Sequence, residues 1–319
     1  MKHLVKSILT ILTLVGFPLT FLAALWLKII RRVGPNPIDE AIFMNLGVLP
    51  VVDHYYHPLI NPKKHLTKSL RADRSLKGIN FNEDKQLELL SKFNYNDELL
   101  SFPLEKSTNI EFHYNNGSFC SGDAEYLYDV VRLFKPKRII EIGCGASTLM
   151  IRNAIKKNKY DDPDYTCNHI CIEPYEQPWL EKIGIEVIRK KVEDIDVTFF
   201  ETLGANDILF IDSSHMIRPQ GDVLFEFLEI LPILKSGVLV HVHDIFFPKD
   251  YLDEWVLKDH LFWNEQYLLE AFLTFNNEFN IIGALNYLTH HHREELSAKC
   301  PVFADQPDRE PGSFWIAKK

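Results

Sequence analysis

Five short apolar runs, separated by polar or helix-forming stretches, occupy the middle of the chain. They are "RIIEI", "HICIE", "IEVIR", "DILFID" and "GVLVHVHD", at residues 138–142, 169–173, 185–189, 207–212 and 237–244. Continuous apolar runs of this length are typical of strands that are buried on both faces, as in a parallel sheet covered by helices. Helical patterns such as "DAEYLYDVVRLF" and "GDVLFEFLEILPIL" flank them. The pattern therefore predicts an α/β fold with a doubly wound, mostly parallel sheet of the Rossmann-like kind.

Two further apolar runs end the chain, "EFNIIGALNYL" at 278–288 and "GSFWIAKK" at 312–319. No helix-sized segment is evident between them, so the second run is expected to return beside the first. The sequence therefore predicts seven strands, of which the last is antiparallel to its neighbours.

The N-terminus carries an uncharged apolar run, "ILTILTLVGFPLTFLAALWL", at residues 8–27. Its length is about that needed to cross a bilayer. A secretory signal is the alternative, but no clean small-residue cleavage site follows the run. Basic residues flank it on both sides, so charge does not fix its orientation. We expect residues 1–30 to form an uncleaved single-pass membrane anchor, although Gly16 and Pro18 leave a re-entrant or monotopic segment open.

Composition limits the remaining function classes. The net charge is −9 over 319 residues, which lacks the basic footprint of a nucleic-acid-binding protein. The five cysteines form no CxxC pair, which predicts reduced thiols in the cytosol and no structural zinc. Residues 31–116 begin with a Gly/Pro linker and are expected to form an N-terminal cap region, mixed in secondary structure. Residues 117–319 are expected to form the catalytic domain.

The bend after the first predicted strand reads "EIGCGASTLM" and contains Glu141, Gly143, Gly145 and Ser147. Ligands of open parallel sheets bind beyond the carboxyl ends of the strands, which is where these glycines fall. A dinucleotide fingerprint has a third glycine, but Thr148 stands there. The bend therefore predicts close approach of a ligand to the backbone without a phosphate cradle.

Residues 117–319 resemble the class I S-adenosylmethionine-dependent methyltransferases, and are most similar to a bacterial branch whose fourth and fifth strands end in "IDxxH" and "HDI". The resemblance is carried by "EIGCGAS", by Glu173 at the end of "HICIE", by "DILFIDSSH" and by "LKSGVLVHVHDI". "GSFWIAKK" matches the antiparallel seventh strand of the family. The spacing from Gly143 to Glu173 exceeds the usual ~20 residues, because "KKNKYDDPDY" forms a polar insertion.

The resemblance implies S-adenosyl-L-methionine as the cofactor, which has a cationic sulfonium, an amino-acid tail and a ribose diol but no phosphate. It implies that Gly143 and Gly145 let the backbone approach and that Glu173 accepts the ribose hydroxyls. Glu141 is expected either to face the ammonium group or to hold the loop. The remaining implied cofactor-binding residues are Ser147, Asp212, and either Glu193 or Asp194 at the adenine amine.

Two clusters are candidates for acceptor chemistry: Asp212 with His215, and His241 and His243 with Asp244. Histidine titrates near neutral pH and suits removal of a proton from a hydroxyl group. Metal-dependent relatives of the catechol type place acids where Asp212 and Asp244 stand, so a divalent ion such as magnesium is the alternative. Ile245 replaces the usual amide ligand, which favours a metal-free histidine base. His241 is expected to be a core histidine.

The sequence therefore predicts a membrane-anchored enzyme that methylates an oxygen atom of a small-molecule or glycan-like acceptor, with the catalytic domain in the cytosol. A nicotinamide-dependent oxidoreductase on the same sheet and a catalytically silent membrane scaffold are the alternatives. Thr148 argues against the oxidoreductase. No nucleic-acid partner is expected, and the sequence does not indicate an oligomeric state.

Overall fold

The computed structural model describes the backbone of residues 2–319 and the side chains of residues 7 and 9–319. Met1 and the remaining side chains lie outside the described residues. They include Lys2 and Lys6, which precede the apolar run, and Ile8, its first residue. The chain divides into a smaller unit, Met1–Ser69 with Glu254–Phe262, and a larger unit, Leu70–Asp253 with Trp263–Lys319. Residues 70–116 of the predicted cap region thus belong to the same compact unit as the sheet.

The smaller unit contains helices α1 (Lys2–Val15), α2 (Phe17–Val33), α3 (Pro37–Leu46) and α4 (Pro62–His65). Gly16 separates α1 from α2, and Pro18 at the start of α2 lacks the N–H group that would continue the helical hydrogen bonds of α1. Within the described residues no single helix has the length and apolar character of a membrane span. Leu9–Val15 and Phe17–Val33 meet that test only as a pair, bent by 75° at the break. The predicted unbroken span is therefore not confirmed.

The larger unit is built on one seven-stranded sheet with the order β3-β2-β1-β4-β5-β7-β6. The first five strands pair in parallel, and β7 is antiparallel to both β5 and β6. The prediction of a mostly parallel seven-stranded sheet with an antiparallel last strand is confirmed. The strands are β1 (Arg138–Ile142), β2 (Asn168–Ile172), β3 (Glu186–Ile188), β4 (Ile208–Ile211), β5 (Leu239–Val242), β6 (Phe279–Ala284) and β7 (Phe314–Lys318).

Helices cover both faces of this sheet. They are α5 (Glu83–Ser91), α6 (Asn96–Leu99), α7 (Asp123–Phe134), α8 (Ala146–Asp161), α9 (Asp222–Phe225), α10 (Leu231–Ile233), α11 (Glu265–Leu273), α12 (Leu285–His291), α13 (Arg293–Ser297) and α14 (Pro301–Ala304). A π turn, Glu226–Ile230, joins α9 to α10. Neighbouring strand residues fall into opposite apolar clusters: Ile139 packs with the cluster of α7 and α8, and Ile140 with the cluster of α9 and α11. This burial on both faces explains why the strands read as continuous apolar runs.

The expectation of no helical segment between β6 and β7 was wrong, because α12, α13 and α14 lie there. The run predicted as one strand changes from strand to helix at Leu285. Leu285 and Leu288 are both buried and stand three residues apart, which is helical spacing. A short apolar run does not distinguish the two-residue repeat of a strand from the 3.6-residue repeat of a helix.

Gly143 forms the bend between β1 and α8 and has a φ of +76°. A Cβ atom at this position would lie 1.8 Å from the backbone oxygen of Asp212, directly after β4. The backbone N–H of Asp212 in turn donates to the carbonyl of Ile142 at 2.9 Å. The bend after β1 therefore lies against the end of β4 with no room for a side chain.

We expect Gly143→Ala to lower the free energy of unfolding by on the order of 3 kcal/mol, because the clashing atom belongs to the backbone and cannot move aside. Gly184→Ala is the matched control, since Gly184 shares a left-handed φ of +68° but a Cβ there would meet nothing within 4 Å. The control should lose only about 1–2 kcal/mol. Urea unfolding followed by circular dichroism measures both, and equal losses would contradict the steric argument.

Candidate active site at the carboxyl ends of the strands

A cavity of about 610 Å³ opens where β1, β2 and β4 end. Four of the residues predicted to bind a cofactor line it: Gly143, Glu173, Glu193 and Asp212. Asp194 is exposed and does not line the cavity. The volume is in the range of sites for cofactors and small molecules. The other lining residues are Ile142, Cys144, Ile172, Pro174, Tyr175, Glu176, Lys191, Val192, Ser213, Ser214, Arg218 and Asp222.

Glu173 is fixed by its own turn. Its Oε1 accepts hydrogen bonds from the backbone N–H groups of Tyr175 and Glu176, both at 2.9 Å. The backbone N–H of Cys144 lies 3.5 Å from Oε2. The carboxylate is therefore held at the cavity wall in one orientation, ready to accept a hydrogen bond from a ligand hydroxyl.

Glu141 and Ser147 are buried beneath the loop after β1, and neither they nor Gly145 line the cavity. The hydroxyl of Ser147 donates to Glu141 Oε1 at 2.7 Å, and His169 Nε2 lies 2.8 Å from Glu141 Oε2. Gly145 directly precedes α8, and its N–H donates to the hydroxyl of Thr148, in the first turn of that helix, at 3.0 Å. In this arrangement Glu141 holds the loop, which was one of its two predicted roles, and does not face a ligand.

Asp212, His215 and Asp244 converge beside the cavity. His215 Nε2 lies 3.4 Å from Asp212 Oδ1 and 3.5 Å from Asp244 Oδ2. One ligand atom of each residue lies within 4.8 Å of the others. Asp212 follows β4 and Asp244 follows β5, so the parallel pairing of these strands brings the two acids together. The structure thus joins the two clusters that the sequence offered separately.

The backbone at His215 and Asp244 is unusual, with φ values of 59° and 56°. Left-handed φ values are uncommon outside glycine and cluster at functional sites. The turn before β7 leaves little space around Asp244, since a Cβ at Gly312 would lie 3.0 Å from the Cα of Asp244. The N–H of Ile245 donates to the carbonyl of Gly312 at 2.8 Å. Local packing thus holds the acid in this conformation.

Glu265 is a residue of the site that the sequence reasoning missed. It begins α11, and its Oε2 lies 2.8 Å from Nδ1 of His215. The ring of Trp263 packs against the His215 ring, with centroids 4.4 Å apart. These contacts orient the imidazole so that Nε2 points between Asp212 and Asp244. Glu265 lies 50 positions after His215 in the chain, and no local pattern in the sequence links them.

The charges of the cluster depend on one another. Burial by itself disfavours the charged form of His215, but the carboxylates of Asp212 and Glu265 outweigh it and raise the pKa of His215 well above its ordinary value. Burial raises the pKa of Asp244 and of Glu265. Burial acts in the same direction on Asp212, but His243 and His215 outweigh it and lower its pKa. The cluster is thus a set of opposite charges that share little solvent.

His241 lies within β5 and His243 directly follows it, and the two side chains have different surroundings. His241 is wholly buried, lies 3.0 Å from the hydroxyl of Ser313 and stacks on Phe210, and burial lowers its pKa well below the ordinary value. It is a core histidine, as predicted. His243 Nε2 lies 3.6 Å from Asp244 Oδ1, and its Nδ1 has no hydrogen-bond partner among the described residues. His243 therefore lies behind Asp244 and outside the cavity lining.

Two acids of the α9 region hold the loop after β4, and both were missed as site residues. Ser213 donates to Glu226 at 3.0 Å, and Ser214 donates to Asp222 through its hydroxyl at 2.7 Å and its N–H at 3.0 Å. Glu226 lies in the π turn, a distortion that is frequent at functional sites. Burial raises the pKa of Glu226 well above its ordinary value.

The chain is similar to one protein family and to two individual proteins. Residues 140–245 match the family model of a methyltransferase domain. An uncharacterized protein of Archaeoglobus fulgidus is 30% identical over 182 residues, which are 53% of this chain and 80% of that protein. The crystal structure of an O-methyltransferase from Bacillus cereus in complex with SAH aligns with 81% of this chain and 95% of that chain, at 13% identity and a TM-score of 0.33.

The family model identifies a methyltransferase domain, and it covers the bend after β1, where the cavity opens, and both acids of the cluster. The chain belongs to the class I S-adenosylmethionine-dependent methyltransferases, as its sequence resemblance predicted. It also shares a family with the archaeal protein. The family match supports methyl transfer over the oxidoreductase and scaffold alternatives.

We expect Glu173→Ala to weaken S-adenosylhomocysteine binding by about 10- to 100-fold, because a charge-assisted contact with a diol contributes on the order of 1.5–3 kcal/mol. Asp194→Ala removes a nearby exposed acid that does not line the cavity and should leave the affinity unchanged. Isothermal calorimetry measures both variants, and thermal unfolding checks that each is folded. A folded Glu173→Ala variant with wild-type affinity would disprove this role.

Proposed function

We propose that the chain transfers a methyl group from S-adenosylmethionine to an oxygen atom of a small-molecule or glycan-like acceptor, at a membrane surface. The supporting observation is the position of Asp212. Its partly exposed side chain lines the cofactor cavity and also lies 3.4 Å from His215. The methyl donor and the group that activates the acceptor would therefore meet at one residue.

The cavity suits a cation without phosphate groups. The cofactor supplies the methyl group on a positively charged sulfonium. Five carboxylates line the cavity against two basic side chains, an excess of three negative charges. Glu173 would accept the ribose hydroxyls, Glu193 would meet the adenine amine, and the missing side chain of Gly143 would let the backbone come close. The acids are Glu173, Glu176, Glu193, Asp212 and Asp222, and the basic residues are Lys191 and Arg218.

The donor set of Asp212, His215 and Asp244 fits a divalent cation. The three ligand atoms converge, and the other nitrogen of His215 lies on the carboxylate of Glu265, which is the usual outer arrangement of a metal-binding histidine. Two carboxylates with an imidazole suit magnesium, manganese or a related ion. A bound divalent ion lowers the pKa of an acceptor hydroxyl. The geometry thus favours the metal alternative over the metal-free base that the sequence favoured.

The rest of the acceptor chemistry falls to this chain's own side chains. Glu265 and Trp263 hold the His215 ring in place, and the packing of Gly312 holds Asp244. His215 and His243 do not line the cavity, so neither is placed to take a proton directly from an acceptor there. The residues would therefore act by fixing the acceptor oxygen in line with the methyl group.

The test of the proposed function uses S-adenosylmethionine with a deuterated methyl group. The full-length protein is incubated with native metabolite and glycan extracts, and mass spectrometry identifies products that carry the label. We expect a labelled methyl ether or ester that is absent with the Glu173→Ala variant. Label found only on nitrogen, sulfur or carbon would overturn the oxygen acceptor.

Metal binding can be tested without knowing the methyl acceptor. We expect the chain to bind one Mn²⁺ ion per molecule, measured by electron paramagnetic resonance, and Asp244→Asn to weaken this binding at least tenfold because a charged ligand is lost. Asp194→Asn is the matched control and should bind like wild type. Absence of Mn²⁺ binding, together with a ~10²–10⁴-fold loss of activity in His243→Gln, would instead support a general base.

We also propose that residues 1–30 hold the protein at the membrane and are not cleaved, with the catalytic part in the cytosol. The bent pair of apolar helices and the two arginines that end α2 support this proposal. All five cysteines are free, which suits a reducing compartment. The expected result is that the protein stays with membranes after alkaline extraction and that its N-terminal sequence begins at Met1 or Lys2. A mature N-terminus after Leu27 would contradict the anchor.

A further inference from the structure

A second cavity, of about 220 Å³, lies at the amino-terminal ends of β2 and β3, away from the cofactor edge. One wall is the face of α8 that carries Arg152 and Lys156, four residues apart. The other walls are the start of β2 with His169 and the turn into β3 with Glu186. Apart from His169, which also contacts Glu141 beneath the cofactor loop, none of these residues has a role in the methyltransferase site.

The two basic residues on α8 have no partner. Arg152 is half-buried, yet neither it nor Lys156 forms a hydrogen bond or ion pair within the part of the chain that the structure describes. Burial without a carboxylate lowers the pKa of Arg152. Lys157 on the same helix, in contrast, pairs with Asp161 at 2.8 Å. Two unpaired cations therefore face one small cavity.

His169 adds a buried donor to the same cavity. Its side chain is 4% exposed, its Nε2 lies on Glu141, and its Nδ1 is buried with no hydrogen-bond partner. Burial by itself lowers the pKa of His169, but Cys171 and Glu141 outweigh it and raise the pKa to about 9. In the charged form that this pKa favours, Nδ1 carries an N–H for which the described residues supply no acceptor. Such an orphan donor is rare and costly in a folded protein.

We propose that this cavity binds a phosphate group. Arg152, Lys156 and His169 supply three basic groups, which are opposed by the carboxylate of Glu186, exposed at the rim, and by that of Glu141, which pairs with His169. A phosphate dianion can accept two parallel hydrogen bonds from an arginine and further bonds from the lysine and the buried imidazolium. The cavity is too small for a nucleotide and has the wrong charge for the sulfonium cofactor. Free phosphate and the phosphoryl group of a small metabolite share this chemistry.

The experiment is calorimetric titration of the full-length protein in nanodiscs with inorganic phosphate and, separately, with glycerol 3-phosphate. We expect one site per chain and at least about tenfold weaker binding in Arg152→Gln and in Lys156→Gln. Lys159→Gln is the matched control, because Lys159 lies on the same helix but not in the cavity, and it should bind like wild type. Both test variants change side chains outside the core, so they are expected to fold.

The outcomes separate the possibilities. Stronger binding of glycerol 3-phosphate identifies a phosphorylated metabolite as the ligand, and equal binding identifies free phosphate. No binding to the wild type, or equal binding in the two variants and the wild type, would overturn the site. If chloride binds as strongly as phosphate, the cavity attracts anions in general and is not a specific phosphate site. Titration in saturating S-adenosylhomocysteine should leave phosphate binding intact, and loss of binding there would place the phosphate in the cofactor cavity instead. These results do not depend on the methyl acceptor.

Discussion

The buried carboxylate of Glu141 is the interaction on which the cofactor edge of the sheet depends. Its side chain is fully buried, and its two oxygens are satisfied by Ser147 on α8 and His169 on β2. A charge in this position is stable only while its partners stay in place. The first strand, the second strand and the start of α8 are therefore fixed together, and the strand ends that carry Gly143 and Glu173 take their positions from this arrangement.

The part of the fold that could be predicted is the part that local patterns encode. Apolar runs gave all seven strands because burial on both faces leaves a continuous signal, and the bend at Gly143 required glycine for a local steric reason. Glu173 could be placed at the cavity because it ends a strand. The sequence could not show that Glu141 and Ser147 point away from the cavity, because the local conformation of the loop decides whether a side chain faces the ligand or the core.

The acceptor side was only half visible in the sequence. Asp212 and Asp244 follow strands, so parallel pairing brings them together. Glu265 reaches His215 from a helix far along the chain, and only tertiary packing makes that contact. The left-handed backbone at His215 has no marker in its residue type. The same limit applies to α1 and α2, where composition gave the length of an apolar run but not its break at Gly16.

The close contact between Gly143 and the carbonyl of Asp212 has a kinetic consequence. The loops after β1 and β4 contact each other through their backbones, so no path for a ligand runs between them. Entry and product release must then use the turn after Glu173 or the loop that follows Ser214, which border the cavity on its other sides. We therefore expect any opening motion of the site in those outer segments, while the backbone contact between the ends of β1 and β4 stays closed.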